Sequence, residues 1–336
     1  MKIKGRLTLK NILEETKFIM DKYKIRANKS LGQNFLVDAN VVQNIVDGSN
    51  VNKEDLVIEI GPGLGTLTEF LLESAQKVIC IELDERMINI LKDRFRLYDN
   101  FEIINQDVLK VDLKELIKRE KENSKIKNVK VVANLPYYIT TPIIMKLLEE
   151  QLDLESITVM VQKEVGDRLI AIPGKKETGA ITYTVYYYAE SEKILEVPNS
   201  SFIPEPEVTS EVIKLNIRKK PPVEVTDKKL MFKVIKNAFM QRRKTLINSL
   251  TNTKIFENKE QGAKVLKKIN LDENIRAEKL SLQEFADIAN MIYNKSVWKN
   301  IIVCYNKTGK GEKYESDFSD KKIIYYTRTE KKEKSI

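Results

Sequence analysis

The sequence predicts an α/β protein in which a mostly parallel sheet carries helices on both faces and is followed by a smaller, wholly helical domain. Three observations carry that prediction. Between residues 56 and 172, short and nearly continuous apolar runs alternate with amphipathic stretches, the pattern of buried parallel strands and their crossover helices. A glycine-rich segment, Glu59–Thr66, joins one apolar run to the next amphipathic stretch, where the backbone must turn tightly. After Lys219-Lys220-Pro221-Pro222 every patterned stretch reads as helix, so these residues mark a linker.

Taken in order, residues 1–27 mix basic and apolar side chains at loosely helical spacing (Ile12, Leu13, Phe18, Ile19) and read as an N-terminal extension. Lys29–Leu36 follows as a polar turn. Strands are expected at Leu56–Ile60, Val78–Glu82, Phe101–Asn105, Val129–Asn134 and Ser156–Gln162, with helices at Thr66–Ala75, Glu85–Leu97, Pro142–Glu150 and Lys163–Ile172. Thr182–Tyr188 is β-branched and aromatic, so propensity alone makes it a strand. Ile194–Val197 and Glu211–Ile217 read as a pair closing the sheet, connected through the proline-stiffened loop Ser200–Pro206. Helices are then expected at Lys228–Ser249, Glu260–Ile269 and Ser281–Asn294, the last with Ser281 and Glu284 spaced as a capping box. The domain boundaries are an extension over 1–27, a first domain over 28–219, a helical domain over 220–295 and a charged tail over 296–336. In that Lys/Glu-rich tail only Ile323–Tyr326 has strand character.

Composition narrows the chemistry. Lys and Arg outnumber Asp and Glu by 58 to 49, a net charge of +9 that suits an acidic partner such as nucleic acid. Histidine is absent, which removes the usual general base, the Ser-His-Asp triad and imidazole metal ligands. Cys80 and Cys304 are the only cysteines and lie far apart, so neither a disulfide framework nor a metal cluster is expected. No apolar run approaches the roughly 18 residues of a membrane span, and the charged N-terminus lacks a signal-peptide core. A monomer in a reducing cytoplasm, away from membranes, is the expectation.

The candidate site lies at strand ends. In Glu59-Ile60-Gly61-Pro62-Gly63-Leu64-Gly65-Thr66 the glycines permit close approach of a ligand, and Glu82 ends the next strand 82 − 61 = 21 positions after the first glycine. That is the place of a ribose-binding carboxylate. The glycine spacing departs from the dinucleotide pattern, because position 66 is Thr and Gly65 comes one residue early. A ligand with an adenosine but no pyrophosphate fits better, and S-adenosylmethionine is the common one. Asp107, after the next strand, would accept from the adenine amino group; a turn or cap residue is the competing reading. Asn134-Leu135-Pro136-Tyr137 places an amide, a proline without an N–H and an aromatic ring together, which suits an exocyclic amine on a flat base. Alone, that tetrapeptide is also an ordinary turn after a strand.

Several separated motifs, in order, carry a family resemblance over roughly residues 20–295. They are Lys29–Leu36, Glu59–Gly65, Glu82, Gln106-Asp107, Asn134–Tyr137, the F-x-P-x-P-x-V-x-S loop Phe202–Ser210, and Phe239–Leu246. The chain resembles the ribosomal RNA adenine N6-dimethyltransferases, and the small-subunit KsgA/RsmA enzymes more than the Erm resistance enzymes. The resemblance implies a Rossmann-like class I S-adenosylmethionine-dependent methyltransferase: a seven-stranded, mostly parallel sheet with an antiparallel last strand, plus a small C-terminal helical domain. It also implies that Thr182–Tyr188 is helical. The cofactor-binding positions it implies are Gln33, Asn34, Leu36, Gly61, Gly63, Glu82, Leu83, Asp107, Val108 and Asn134.

By the same resemblance, two adjacent adenosines in the 3′-terminal hairpin loop of 16S rRNA would be dimethylated at N6, late in assembly of the 30S subunit. The side-chain amide of Asn134 and the carbonyl of Pro136 would accept the two amine protons, leaving the lone pair to face the methyl group. Tyr137 on one face of the extruded base and Phe202 on the other would offset unstacking at about 1–3 kcal/mol each. An ordinary core position is the competing reading for Phe202. Arg242, Arg243 and Lys244, with Lys254, Lys264, Lys267 and Lys268, suit phosphate contacts or simply a solvated face. An Erm-like large-subunit enzyme is the nearest alternative, against which stand the full Lys29–Leu36 motif and Leu135, where Erm proteins tend to carry Ile. An N6-adenine DNA methyltransferase is a further one, disfavoured by Asn134. An assembly factor whose binding outweighs its catalysis is another. Asn28, where relatives often carry a basic residue, and the tail depart from the pattern.

Overall fold

The computed structural model describes residues 11–28, 32–175 and 177–294. Cys304, the tail 296–336 with its strand-like stretch, the first ten residues and Lys29–Leu31 of the first motif lie outside the described residues. One seven-stranded sheet organises the first domain, in the order β4-β3-β2-β5-β6-β9-β7. Its members are β2 (Asp55–Ile60), β3 (Lys77–Glu82), β4 (Phe101–Asn105), β5 (Asn128–Asn134), β6 (Ser156–Gln162), β7 (Ala189–Val197) and β9 (Ser210–Ile217). Strands β4, β3, β2, β5 and β6 run parallel, and β9 enters antiparallel between β6 and β7. The expected closing pair is therefore present, with β7 starting earlier than its apolar residues suggest.

Alternation along the strands splits the core in two. Leu56, Ile58 and Ile60 of β2, with Ile79 and Ile81 of β3, face one apolar cluster; Val57, Val78 and Cys80 face the other. Helices α5 (Leu113–Lys121), α6 (Thr140–Glu149) and α7 (Lys163–Ile170) cover the first face. Helices α1 (Ile12–Lys22), α2 (Ala39–Ser49), α3 (Thr66–Ser74) and α4 (Glu85–Arg94) cover the second. Both α2 and α5 are absent from the sequence reading. Each starts on an aspartate whose carboxylate accepts from backbone N–H groups of the first turn: Asp38 from Asn40 and Val41, Asp112 from Glu115. Helix α1 buries Ile12 and Ile19 in the second cluster, and Glu15 pairs with Arg94 of α4 at 2.6 Å. From residue 11 on, the expected extension thus packs as part of the first domain.

Thr182–Tyr188 falls within helix α8 (Ala180–Tyr188), as the resemblance implies and against β-propensity. Spacing explains the outcome. Ile181 and Val185, four residues apart, enter the first cluster of the sheet domain, whereas Tyr183 and Tyr187 enter the core of the helical domain. A strand would send 181, 183, 185 and 187 to one face, and the second core would lose its aromatic members.

That second core gathers α9 (Lys228–Phe239), α10 (Leu246–Asn252), α11 (Lys259–Lys268) and a helix over 282–294, α12. Ser281 and Glu284 form the expected capping box, each reaching the other's backbone N–H. The single helix expected over Lys228–Ser249 is instead two. Thr245 caps α10, its hydroxyl accepting from Asn248, and the Leu246 N–H leaves the helix to donate to Ile275. The intervening Met240–Thr245 turn holds Arg242, Arg243 and Lys244, all exposed.

Candidate active site

The glycine loop, Glu82, Asp107, residues 32–36 and the Asn134–Tyr137 turn converge on one cavity at the carboxyl ends of β2, β3, β4 and β5. All ten implied cofactor positions line it, together with Pro136 and Tyr137. The loop after β2 owes its course to backbone that only glycine adopts freely: Gly61 has φ 67° and Gly65 φ 85°. At Gly65 an added Cβ would lie 2.6 Å from the Phe95 ring, so the start of α3 packs against α4 without room for a side chain.

Glu82 is held rigidly. Its carboxylate accepts from the N–H groups of Leu83 at 2.8 Å, Asp84 at 2.9 Å and Gly63 at 3.4 Å. Burial raises its pKa above the ordinary carboxylate value, and those three backbone donors oppose the rise. Asp107 accepts from the Leu109 N–H at 3.0 Å, which sets the loop after β4. Leu83 is exposed and Val108 buried, so the two apolar residues line the cavity at different depths.

Loop residues 32–36 close the near side. Gln33 donates to Asp84 at 3.1 Å, and the Asn34 carbonyl accepts from the side-chain amide of Asn134 at 3.4 Å. That contact turns the Asn134 Nδ2 toward the loop, so its oxygen is the acceptor left for a ligand. Phe35 and Leu36 form β1, which pairs antiparallel with β8 (Phe202–Ile203) and brings the two distant motifs together.

Two expected roles are corrected by the geometry. Phe202 is 1% exposed, packed in the second cluster, and lies outside the cavity lining, so it presents no face to a base. Its pairing with Leu36 across β1 and β8 turns it inward. The Pro136 carbonyl already accepts from the Ile139 N–H at 3.2 Å and the Thr140 hydroxyl at 2.9 Å. With both lone pairs engaged, it is no acceptor for an incoming amine. The Leu135 carbonyl one residue earlier takes part in neither bond. Arg242, Arg243 and Lys244 lie in the helical domain, outside the cavity, with Arg242 tied to the Thr178 carbonyl at 3.1 Å.

Among the lining residues outside the sequence-derived set, Glu59 carries a carboxyl. Glu59 is 1% exposed; its carboxylate accepts from Thr68 at 2.6 Å and from the Cys80 thiol at 3.4 Å. Burial pushes its pKa up to about 7. Its position before the first glycine, in a strand otherwise apolar from Leu56 to Ile60, was the available signal. The lining thus holds the carboxyls of Glu59, Glu82 and Asp107 and, among the described residues, no lysine or arginine. Such a set of acceptors fits a cationic ligand carrying a diol.

A sheet of this order, with a glycine loop and carboxylates at successive strand ends, defines a Rossmann-like methyltransferase. Within that class the chain belongs to the ribosomal RNA adenine dimethylase family, whose model matches residues 24–294. It is 50% identical over 278 residues to the ribosomal RNA small subunit methyltransferase A of Alkaliphilus metalliredigens, covering 83% of this chain and 96% of that one. To the protein of the same name from Clostridioides difficile it is 48% identical over 280 residues, with the same coverage of 83% and 96%. A crystal structure of a dimethyladenosine transferase from Plasmodium falciparum matches with a TM-score of 0.61 at 25% identity, over 82% of this chain and 98% of that one. Among the described residues no helix is long and apolar enough to cross a membrane.

Proposed function

We propose that this chain transfers methyl groups from S-adenosylmethionine to N6 of two adjacent adenosines in small-subunit (16S) ribosomal RNA, within the 3′-terminal hairpin loop, giving N6,N6-dimethyladenosine. The observation that carries the reading is one cavity whose described lining has three carboxyls, no cationic side chain and the Asn134–Tyr137 turn on its wall. The relatives named for the small subunit favour that RNA over the large-subunit alternative. Action on a late 30S particle belongs to the same proposal.

The donor supplies a methyl group on a positively charged sulfur. Glu82, with Asp107 and the apolar Leu83 and Val108, would hold its adenosine; Glu59 lies on the β2 side, suited to a cationic end. The chain's own work is on the acceptor. An adenine amine is a weak nucleophile because its lone pair is delocalised into the ring. The Asn134 side-chain oxygen and the Leu135 carbonyl would each accept one amine proton, tilting the lone pair toward the methyl carbon. As the nitrogen–carbon bond forms and the carbon–sulfur bond breaks, positive charge on nitrogen is held by those oxygens until a proton leaves to solvent. No strong base is required, consistent with a chain lacking histidine. Alignment of this kind can supply up to about 7–11 kcal/mol. Tyr137 offers one stacking face.

The test is methylation of small-subunit particles lacking the modification, with mass mapping of the product. Paired N6,N6-dimethyladenosines near the 3′ end are the expected outcome. Methylation of large-subunit RNA instead would overturn the assignment.

A further inference from the structure

The F-x-P-x-P-x-V-x-S loop enters the sequence reading through its phenylalanine, yet Phe202 is core. The other end of the motif is Ser210, fully buried at 0% exposure. It opens β9 and is paired on both sides, opposite Gln162 of β6 and Val197 of β7. Its hydroxyl lies 2.7 Å from the phenolic oxygen of Tyr137. Tyr137 itself sits on the short turn Tyr137–Ile139, outside any regular ladder, with its ring half-buried at the cavity wall.

We propose that Ser210 is a positioning residue for methyl transfer, its hydroxyl fixing the Tyr137 ring as the platform on which the target base rests. The inference rests on the function proposed above. Without the anchor, the ring keeps its area but is free to swing about two side-chain torsions. A base stacked on it then samples more orientations relative to Asn134 and the methyl group, and alignment is the main source of rate here. The loss therefore falls on kcat, while binding of RNA, made largely elsewhere, and of the cofactor stays level. Ser210 touches neither substrate nor cofactor.

The test is a double-mutant cycle on the full chain with small-subunit particles as substrate, using Ser210→Ala, Tyr137→Phe and both together. One neutral hydrogen bond corresponds to a kcat lower by roughly threefold to tenfold in each single variant. The double variant is expected to be no slower than either single, since both remove the same bond. RNA KM and cofactor Kd should stay at wild-type values, and Ser210→Thr, which keeps the hydroxyl, should recover kcat. Multiplying losses, or wild-type kcat in Tyr137→Phe, would overturn the role. Tyr137→Phe leaves the strand untouched and decides the matter alone if Ser210→Ala does not fold. Asn134→Ala run in parallel separates the two levels. If it is inactive while Tyr137→Phe is unimpaired, only the positioning role fails; if it too turns over normally, the proposed function fails.

Discussion

Glu59 and Glu82 share one cavity but differ in how their charge is supported. Three backbone N–H groups face the Glu82 carboxylate, whereas Glu59 has only a hydroxyl and a thiol, and its pKa rises to about 7. A raised folded-state value means the folded protein holds a proton that the unfolded chain has lost. Stability from this group is therefore greatest below the unfolded value of 4.5 and declines as pH rises toward 7. A cationic ligand reverses the preference by favouring the carboxylate. Affinity for S-adenosylmethionine should strengthen as pH is raised toward 7 and level off above it, by at most about tenfold per pH unit. Glu59→Gln should flatten that profile, as titration calorimetry across roughly pH 5.5–8.5 would show; an unaltered slope would remove Glu59 from cofactor binding. The residue was visible in the motif, but nothing in the sequence distinguishes a buried carboxyl facing a ligand from one that only caps a neighbouring hydroxyl. Pro136 and Phe202 show the converse limit. Residue type alone suggested an acceptor and a stacking ring, and only the turn hydrogen bonds and the β1–β8 pairing reveal that both are already committed.

Elements were legible where one period dominated. Phe101–Asn105 and Ser156–Gln162 match β4 and β6 residue for residue; β6 is buried from Ser156 to Val161 and its central residues read as a nearly continuous apolar run, whereas β4 is a half-buried edge strand marked by Phe101, Ile103 and Ile104. Helices α2 and α5 are not legible in the sequence although Asp38 and Asp112 are good caps; α5 is mostly charged, so its few apolar residues give a weak period. Helix α8 could not be read from propensity, because its identity is decided by two cores meeting on opposite sides of one segment. The break between α9 and α10 has a functional side. It lifts Arg243 and Lys244 into solvent while Arg242 ties the turn to Thr178, just ahead of α8. RNA affinity should fall steeply with salt. In Arg243→Ala/Lys244→Ala the slope of log K against log salt should be shallower by roughly 0.7–0.9 per phosphate contact removed. Filter binding between low and moderate salt measures it; an unchanged slope would make the turn purely structural.

At the scale of the whole molecule, α8 joins the two cores, with Tyr183 and Tyr187 buried in the second, and Arg242 adds a hydrogen bond to Thr178 just ahead of it. The Tyr183 hydroxyl donates to the Leu280 carbonyl at 2.6 Å, within the helical domain, while its helix neighbours Ile181 and Val185 belong to the sheet core. The second core thus takes in side chains of α8, a helix that precedes residue 219. This arrangement sets a basic, exposed turn beyond an acidic cavity within a chain of net charge +9. On the proposed function, phosphates and a cationic donor would meet different surfaces. The central claim is that the Asn134 side-chain oxygen aligns an adenine amine for methyl transfer, and single-turnover methylation of small-subunit particles by Asn134→Ala tests it most directly. A kcat lower by on the order of a hundredfold, with cofactor affinity changed far less, is the expected result. Turnover at the wild-type rate would contradict it.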